Sequence, residues 1–182
     1  MYRFLILYLL LLFFSSWNTA LVAQNRTRID SLQNALKRES NEIKKAEILL
    51  ALSNEYIQCN IKSINYAYAA YKIAQEQKDP QLLSKSLISI AKGKYILQDN
   101  FKEANFNFNE SEKVCINNNL YDLRVQTLIE WSIFEQSYNH YLASLEKLHI
   151  ANSICLQNHN KAKQAEIAYQ IANLHLQNHR YS

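Results

Sequence analysis

The side chains that could do chemistry are few. His175 and His179 are four residues apart, so on a helix both imidazoles share one face, with His159 upstream. Convergent imidazoles are the start of a zinc site. The metalloprotease pattern needs Glu directly after the first His, and Leu176 stands there instead. No third ligand follows from the spacing, so the pair reads as structural and no metal is expected. His140 and His149 are nine apart and suggest no site. The cysteines number three, Cys59, Cys115 and Cys155. No local motif pairs one of them with a histidine, and helices without turns rarely present an activated thiol. Acidic pairs such as Glu110 and Glu112 read as a solvated face. Tyr66, Tyr68 and Tyr71 read as packing, because a stacking platform for bases would carry interleaved basic residues. No catalytic or cofactor-binding residue is expected, and the chain does not read as an enzyme.

The elements that would position these residues are constrained by composition. The chain has 182 residues, 48% of them hydrophobic and 20% charged, a globular balance. One Gly and one Pro argue against sandwiches, barrels, Rossmann sheets and phosphate loops, all of which need many tight turns. An all-α chain remains. The net charge of +4 is weak and dispersed, which argues against nucleic acid as a partner.

Residues 1–23 read as a secretory signal peptide, with Arg3 in a short n-region and an unbroken apolar run from Phe4 to Phe14. An 11-residue helix spans only about 16 Å, roughly half a hydrocarbon core. Cleavage after Ala23 is expected, leaving Gln24 first. Cleavage after Ala20 and an uncleaved signal anchor, with Trp17 to Val22 extending the run, stay open. The mature chain is therefore expected to be exported, periplasmic or secreted, or else anchored in the inner membrane. In an oxidising compartment the odd cysteine count allows one disulfide and a free thiol. Cys115 and Cys155 sit one repeat apart, too far for a direct bond between equivalent positions, so they read as small buried residues.

The mature chain repeats. Ile88, Ala91 and Tyr95 share one helical stripe, and Phe101, Ala104, Phe108, Ser111 and Cys115 share another. Gln98, Asp99 and Asn100 form the turn between them, with Asn100 and Glu103 placed as a reciprocal cap. This predicts a hairpin of helices over 82–97 and 101–117. Upstream, Leu49, Leu52, Ser53 and Tyr56 precede Ser63, Ala67, Ala70 and Ala74. Asp79 and Pro80 then make an N-cap followed by a first helical residue. Downstream, helices are predicted near 121–136 and 139–156. A fourth unit carries Ala168, Ile171, Ala172 and His175 and turns near 177–181. Phe101, Tyr138 and Tyr181 are assigned one turn position, at spacings of 37 and 43 residues. Residues 24–45 read as a linker and capping helix, with Asp30 as N-cap of 30–38. The repeats run over about 46–80, 82–119, 121–160 and an incomplete 162–182.

These residues resemble the tetratricopeptide repeat, whose helix A carries a large apolar, a small and a Tyr position and whose helix B carries Ala, an aromatic and a second small residue. Unit two matches through Ile88, Ala91, Tyr95, Phe101, Ala104, Phe108 and Ser111, with Lys92 where the family has its small residue. In unit three Tyr141 stands where Ala is expected. The resemblance implies a right-handed superhelix, an α-solenoid of stacked antiparallel helix pairs, with helix A of each unit lining a concave groove that grips a protein or peptide. By family position the groove residues are Asn54, Ile57 and Gln58 in unit one, Ser89 and Ile96 in unit two, and Tyr169, Asn173 and Gln177 in unit four. A carboxylate-clamping groove also needs Lys four residues before the Asn. Leu50 stands there, so recognition of a C-terminal carboxylate is not implied. A leader followed by such repeats resembles the extracytoplasmic region of bacterial signalling proteins that end in a sensor-kinase or transcriptional-regulator output. The alternative is a secreted or periplasmic scaffold without one. Because the sequence stops where a helix should begin, it reads as incomplete, with a naturally short chain as the competing reading, and its open end is expected to aggregate or dimerise.

Overall fold

The structure, a computed structural model, describes residues 26–57 and 61–181. Among the described residues every regular element is an α-helix: α1 (26–38), α2 (Glu42–Tyr56), α3 (Lys62–Gln77), α4 (Pro80–Gln98), α5 (Phe101–Asn117), α6 (Tyr121–Ser137), α7 (Tyr141–Gln157) and α8 (Lys161–Tyr181). None is long and apolar enough to cross a membrane. The leader lies outside the described residues.

Local chemistry sets the helix starts. Asn41, Asp79 and Asn100 each accept a hydrogen bond from the backbone N–H three residues on, at 3.0, 3.0 and 3.1 Å. Pro80 takes the first helical position, where its missing N–H costs nothing. The helix ends explain how a chain with a single glycine turns so often. Lys78, Asp99, Asn119, Asn139 and His159 adopt left-handed backbone, with φ between 47 and 59°. Asn and Asp tolerate that region best among non-glycine residues, and the local chain reversal satisfies the last carbonyls.

Each helix packs on its sequence neighbours from α2 to α8, and α2 also touches α4, and α4 touches α6. All the extensive interfaces join helices one or two apart, so the described residues share no single interior. Three apolar clusters follow one another along the chain. One stripe recurs on the even-spaced partners. Ser63, Ala67, Ala70 and Ala74 of α3 are buried, as are Ala104, Phe108, Ser111 and Cys115 of α5, and Ser144, Leu148, Ala151 and Cys155 of α7. The offsets are 41 and 40 residues. The small residues bring backbones close, and their hydroxyls find partners. Ser63 Oγ donates to the Ser53 carbonyl at 2.8 Å, and Ser111 Oγ lies 2.8 Å from Ser84 Oγ and 3.1 Å from Thr127 Oγ1.

The structure corrects several sequence expectations. The first helix starts before Asp30, which lies inside it and is not its cap. Glu103 does not reach back to Asn100; its carboxylate meets Lys94 Nζ. Tyr138 is the C-cap of α6, its hydroxyl donating to Asp99 Oδ1 at 2.6 Å, and the counterpart of Phe101 is Tyr141, first residue of α7. With that register Ser144 takes the small position assigned to Tyr141. In α4 the buried small residue is Ala91, and Lys92 is about a quarter exposed. Helix α8 runs on through 177–181 without the expected turn, so Tyr181 shares no turn position with Phe101. Glu112 is not on a freely solvated face, since it accepts from Arg124 Nε and Nη2 at 3.1 and 2.8 Å.

Cys115 and Cys155 are free thiols, and Cys59 lies outside the described residues. Burial pushes both thiols above the usual range, for Cys115 against the lowering effect of Ser84 and Thr127. In a Cys59→Ser variant, therefore, Ellman's reagent should label Cys115 and Cys155 only as fast as the chain unfolds. Prompt labelling in native buffer would contradict this packing.

Candidate functional cleft

Helices α2, α4 and α6 pack in a row, and the outward faces of their middle turns leave a cleft of about 190 Å³ between them. Asn54 comes from α2, Lys85, Ser89 and Lys92 from α4, and Gln126 and Glu130 from α6, over a floor of Leu50 and Ile88. Register explains the gathering. Lys85 and Gln126 are 41 residues apart, as are Ser89 and Glu130, so the same helical positions recur on neighbouring helices. Asn54 and Lys92 are 38 apart, as are Leu50 and Ile88.

The electrostatics of the cleft centre on one bridge between helices. Lys92 Nζ donates to Glu130 Oε1 at 3.0 Å, with both side chains about a fifth to a quarter exposed. Next to it, Tyr95 is pushed up to about 12 by burial, with the Glu130 charge adding to the shift. Lys85 is exposed and makes no ion pair among the described residues. Ser89 is buried with its neighbours, and Asn54 is exposed at the rim. The cleft thus offers ammonium donors, one carboxylate acceptor and two amides, Asn54 and Gln126, that can both donate and accept. Its lining holds no Cys, His or second carboxylate.

Of the residues expected in the groove, Asn54 and Ser89 come together here. Ile57, the C-cap of α2, and Ile96 of α4 are half-buried and line no part of it. Tyr169, Asn173 and Gln177 are exposed on α8, away from the cleft. Gln58 lies outside the described residues. Sequence reasoning missed Lys85, Lys92, Gln126 and Glu130. The 41-residue offset would have found the pairs, but the family alignment used a register one residue away in α4.

His175 and His159 do not converge, and the side chain of His179 lies outside the described residues. His175 Nδ1 lies 2.6 Å from the Tyr141 hydroxyl, tying α8 to α7, and His159 sits in the turn before α8. Among the described residues no group of three or more His, Cys, Asp or Glu side chains could hold a metal ion. No protein-family model matches the chain, and no curated protein is detectably similar to it.

Proposed function

We propose that the chain is a protein-interaction segment of the tetratricopeptide type and that the cleft across α2, α4 and α6 grips an extended or helical peptide. The observation that carries this reading is the recurrence of polar side chains at one register of successive helices, opening on a common cleft. A stack built from helices that touch only near neighbours extends such a row from unit to unit. On this reading the stack winds as a right-handed superhelix, and the row forms its concave wall. The leader makes the chain an exported one, and its role is the extracytoplasmic region of a bacterial signalling protein.

A peptide in the cleft would satisfy its backbone through Asn54 and Gln126 and would exchange partners with the Lys92–Glu130 bridge. Peptides selected from a displayed library against the 182-residue chain test this. Asn54→Ala and Lys92→Glu are expected to weaken the selected peptides about tenfold each, the loss typical of a central contact. Both side chains are at least partly exposed, so the fold should survive. A library that yields no binder, or binders indifferent to both substitutions, would overturn the proposal.

A further inference from the structure

The opposite face of α4 carries a second and larger cleft, about 460 Å³, walled by α3 and α5. Leu83, Leu87 and Ile90 form its floor, on the side of the helix turned away from Lys85, Ser89 and Lys92. Tyr68 and Phe106 stand on its rims, 45% and 61% exposed, which is unusual for rings flanking an apolar floor. The volume lies in the range that holds a bound group of one or two side chains.

Its polar lining has one sign. Glu103 and Glu110 both line it, and no Lys, Arg or His does, in a chain whose net charge is +4. Each carboxylate keeps an oxygen for a visitor. Lys94 is paired with Glu103 Oε2 and Lys113 with Glu110 Oε1, which leaves Glu103 Oε1 and Glu110 Oε2 without a partner among the described residues. Lys113 is well exposed and Glu110 about a third exposed, so their ion pair is weak and exchangeable, whereas Lys94 is mostly buried and holds Glu103 more firmly. Asn107 Nδ2 donates to the Glu103 carbonyl at 2.7 Å, and its side-chain oxygen is left as one more acceptor. Aromatic rims add cation–π attraction, already seen where Lys94 Nζ lies 5.8 Å from the Tyr68 ring centre.

We propose that this cleft binds a basic amphipathic peptide segment, which seats an apolar side chain between the exposed rings of Tyr68 and Phe106, over Leu83, and sets an adjacent Lys or Arg against Glu103 and Glu110. With Lys94 and Lys113 already paired to its carboxylates, the cleft has no free cation among the described residues for a phosphate-bearing ligand. The site is separate from the α2–α4–α6 cleft and does not depend on what that cleft binds.

The test uses the 182-residue chain and a short synthetic helical peptide of Leu and Lys, with a Leu and Glu twin of the same pattern. Amide resonance shifts on titration should cluster at Tyr68, Leu83, Phe106 and Asn107. The acidic twin should not bind, although it suits the overall charge of the protein better. Phe106→Ala should weaken binding about tenfold, and Glu110→Lys about threefold, within the range of an exposed charge contact. Asn54→Ala, in the other cleft, should change nothing. Equal binding of the acidic twin, shifts centred on Asn54 and Lys92, no binding at all, or indifference to both cleft substitutions would each overturn the proposal. So would shifts at the same residues that follow protein concentration without peptide, which would make a second copy the occupant.

Discussion

Truncating Phe134 to alanine is expected to lower the unfolding free energy by about 3–5 kcal/mol, the range for a large aromatic removed from a closed core. Phe134 is fully buried in α6. Its ring lies 5.0 Å from Phe101, 5.3 Å from Tyr138, 5.4 Å from Tyr95 and 5.5 Å from Phe108. Those partners come from α4, α5 and the end of α6, so one side chain closes the junction of three helices. The surroundings are themselves rings, braced by the Tyr138–Asp99 hydrogen bond and by Trp131 stacked on Phe108, and they cannot collapse into the space left behind. Urea unfolding followed by tryptophan fluorescence, in a Trp17→Phe background so that Trp131 alone reports, measures the loss. A change below about 1 kcal/mol would mean that the junction is looser than these ring distances allow.

Much of the fold was legible because the physics behind it is local. The Asp79–Pro80 boundary and the Asn100 cap are short-range signals, and the structure carries both. The α5 stripe from Phe101 to Cys115 was readable for the same reason, since one helical face needs no knowledge of its neighbours. What failed was register across turns. Phe101 and Tyr138 are both aromatic and both near a turn, so sequence similarity paired them. The two turns differ by one residue of helix: the Asn100 N–H reaches back six residues to Lys94, the His140 N–H only five to Glu135. That extra residue shifts α4 relative to α5 and moves the small position from Lys92 to Ala91. The same slip hid most of the cleft, because Lys85, Lys92, Gln126 and Glu130 have polar side chains that carry no periodic signal of their own. They became a site only once α2, α4 and α6 lay side by side.

The two clefts make α4 a partition. One face carries Lys85, Ser89 and Lys92 and presents ammonium groups, and the other carries Leu83, Leu87 and Ile90 under acidic rims. A helix solvated on one side could not be this apolar, and α4 has nine buried residues among nineteen. Packing by α2 and α6 on one side and by α3 and α5 on the other accounts for it. Peptides on the two faces would therefore meet the same rigid element, and the distinct resonance patterns separate them.

The chain's one glycine is where the tightest of those contacts occurs, and enlarging it should be as damaging as emptying the aromatic junction. Gly93 is buried in the interior of α4, where glycine costs roughly 1 kcal/mol against alanine. A Cβ at this position would stand 2.5 Å from Cγ1 of Ile64, a buried side chain of α3. Cγ1 is not a free chain end, and Ile64 is stiff at χ1, so the two helices would have to separate. The counterpart of Gly93, 41 residues on, is Phe134. The same helical position is thus filled by the smallest residue where a neighbouring helix comes close and by a large ring where the junction is open. Gly93→Leu is expected to cost about 3 kcal/mol or more, overpacking at its upper end. Gly93→Ala should cost about 1 kcal/mol, its helix-propensity gain outweighed by the clash. The clash has a specific signature in a double-mutant cycle. With Ile64→Ala in the background, Gly93→Ala should turn stabilising, by up to the roughly 1 kcal/mol of propensity alone. Additive costs in that cycle would show that Ile64 is not what keeps position 93 a glycine.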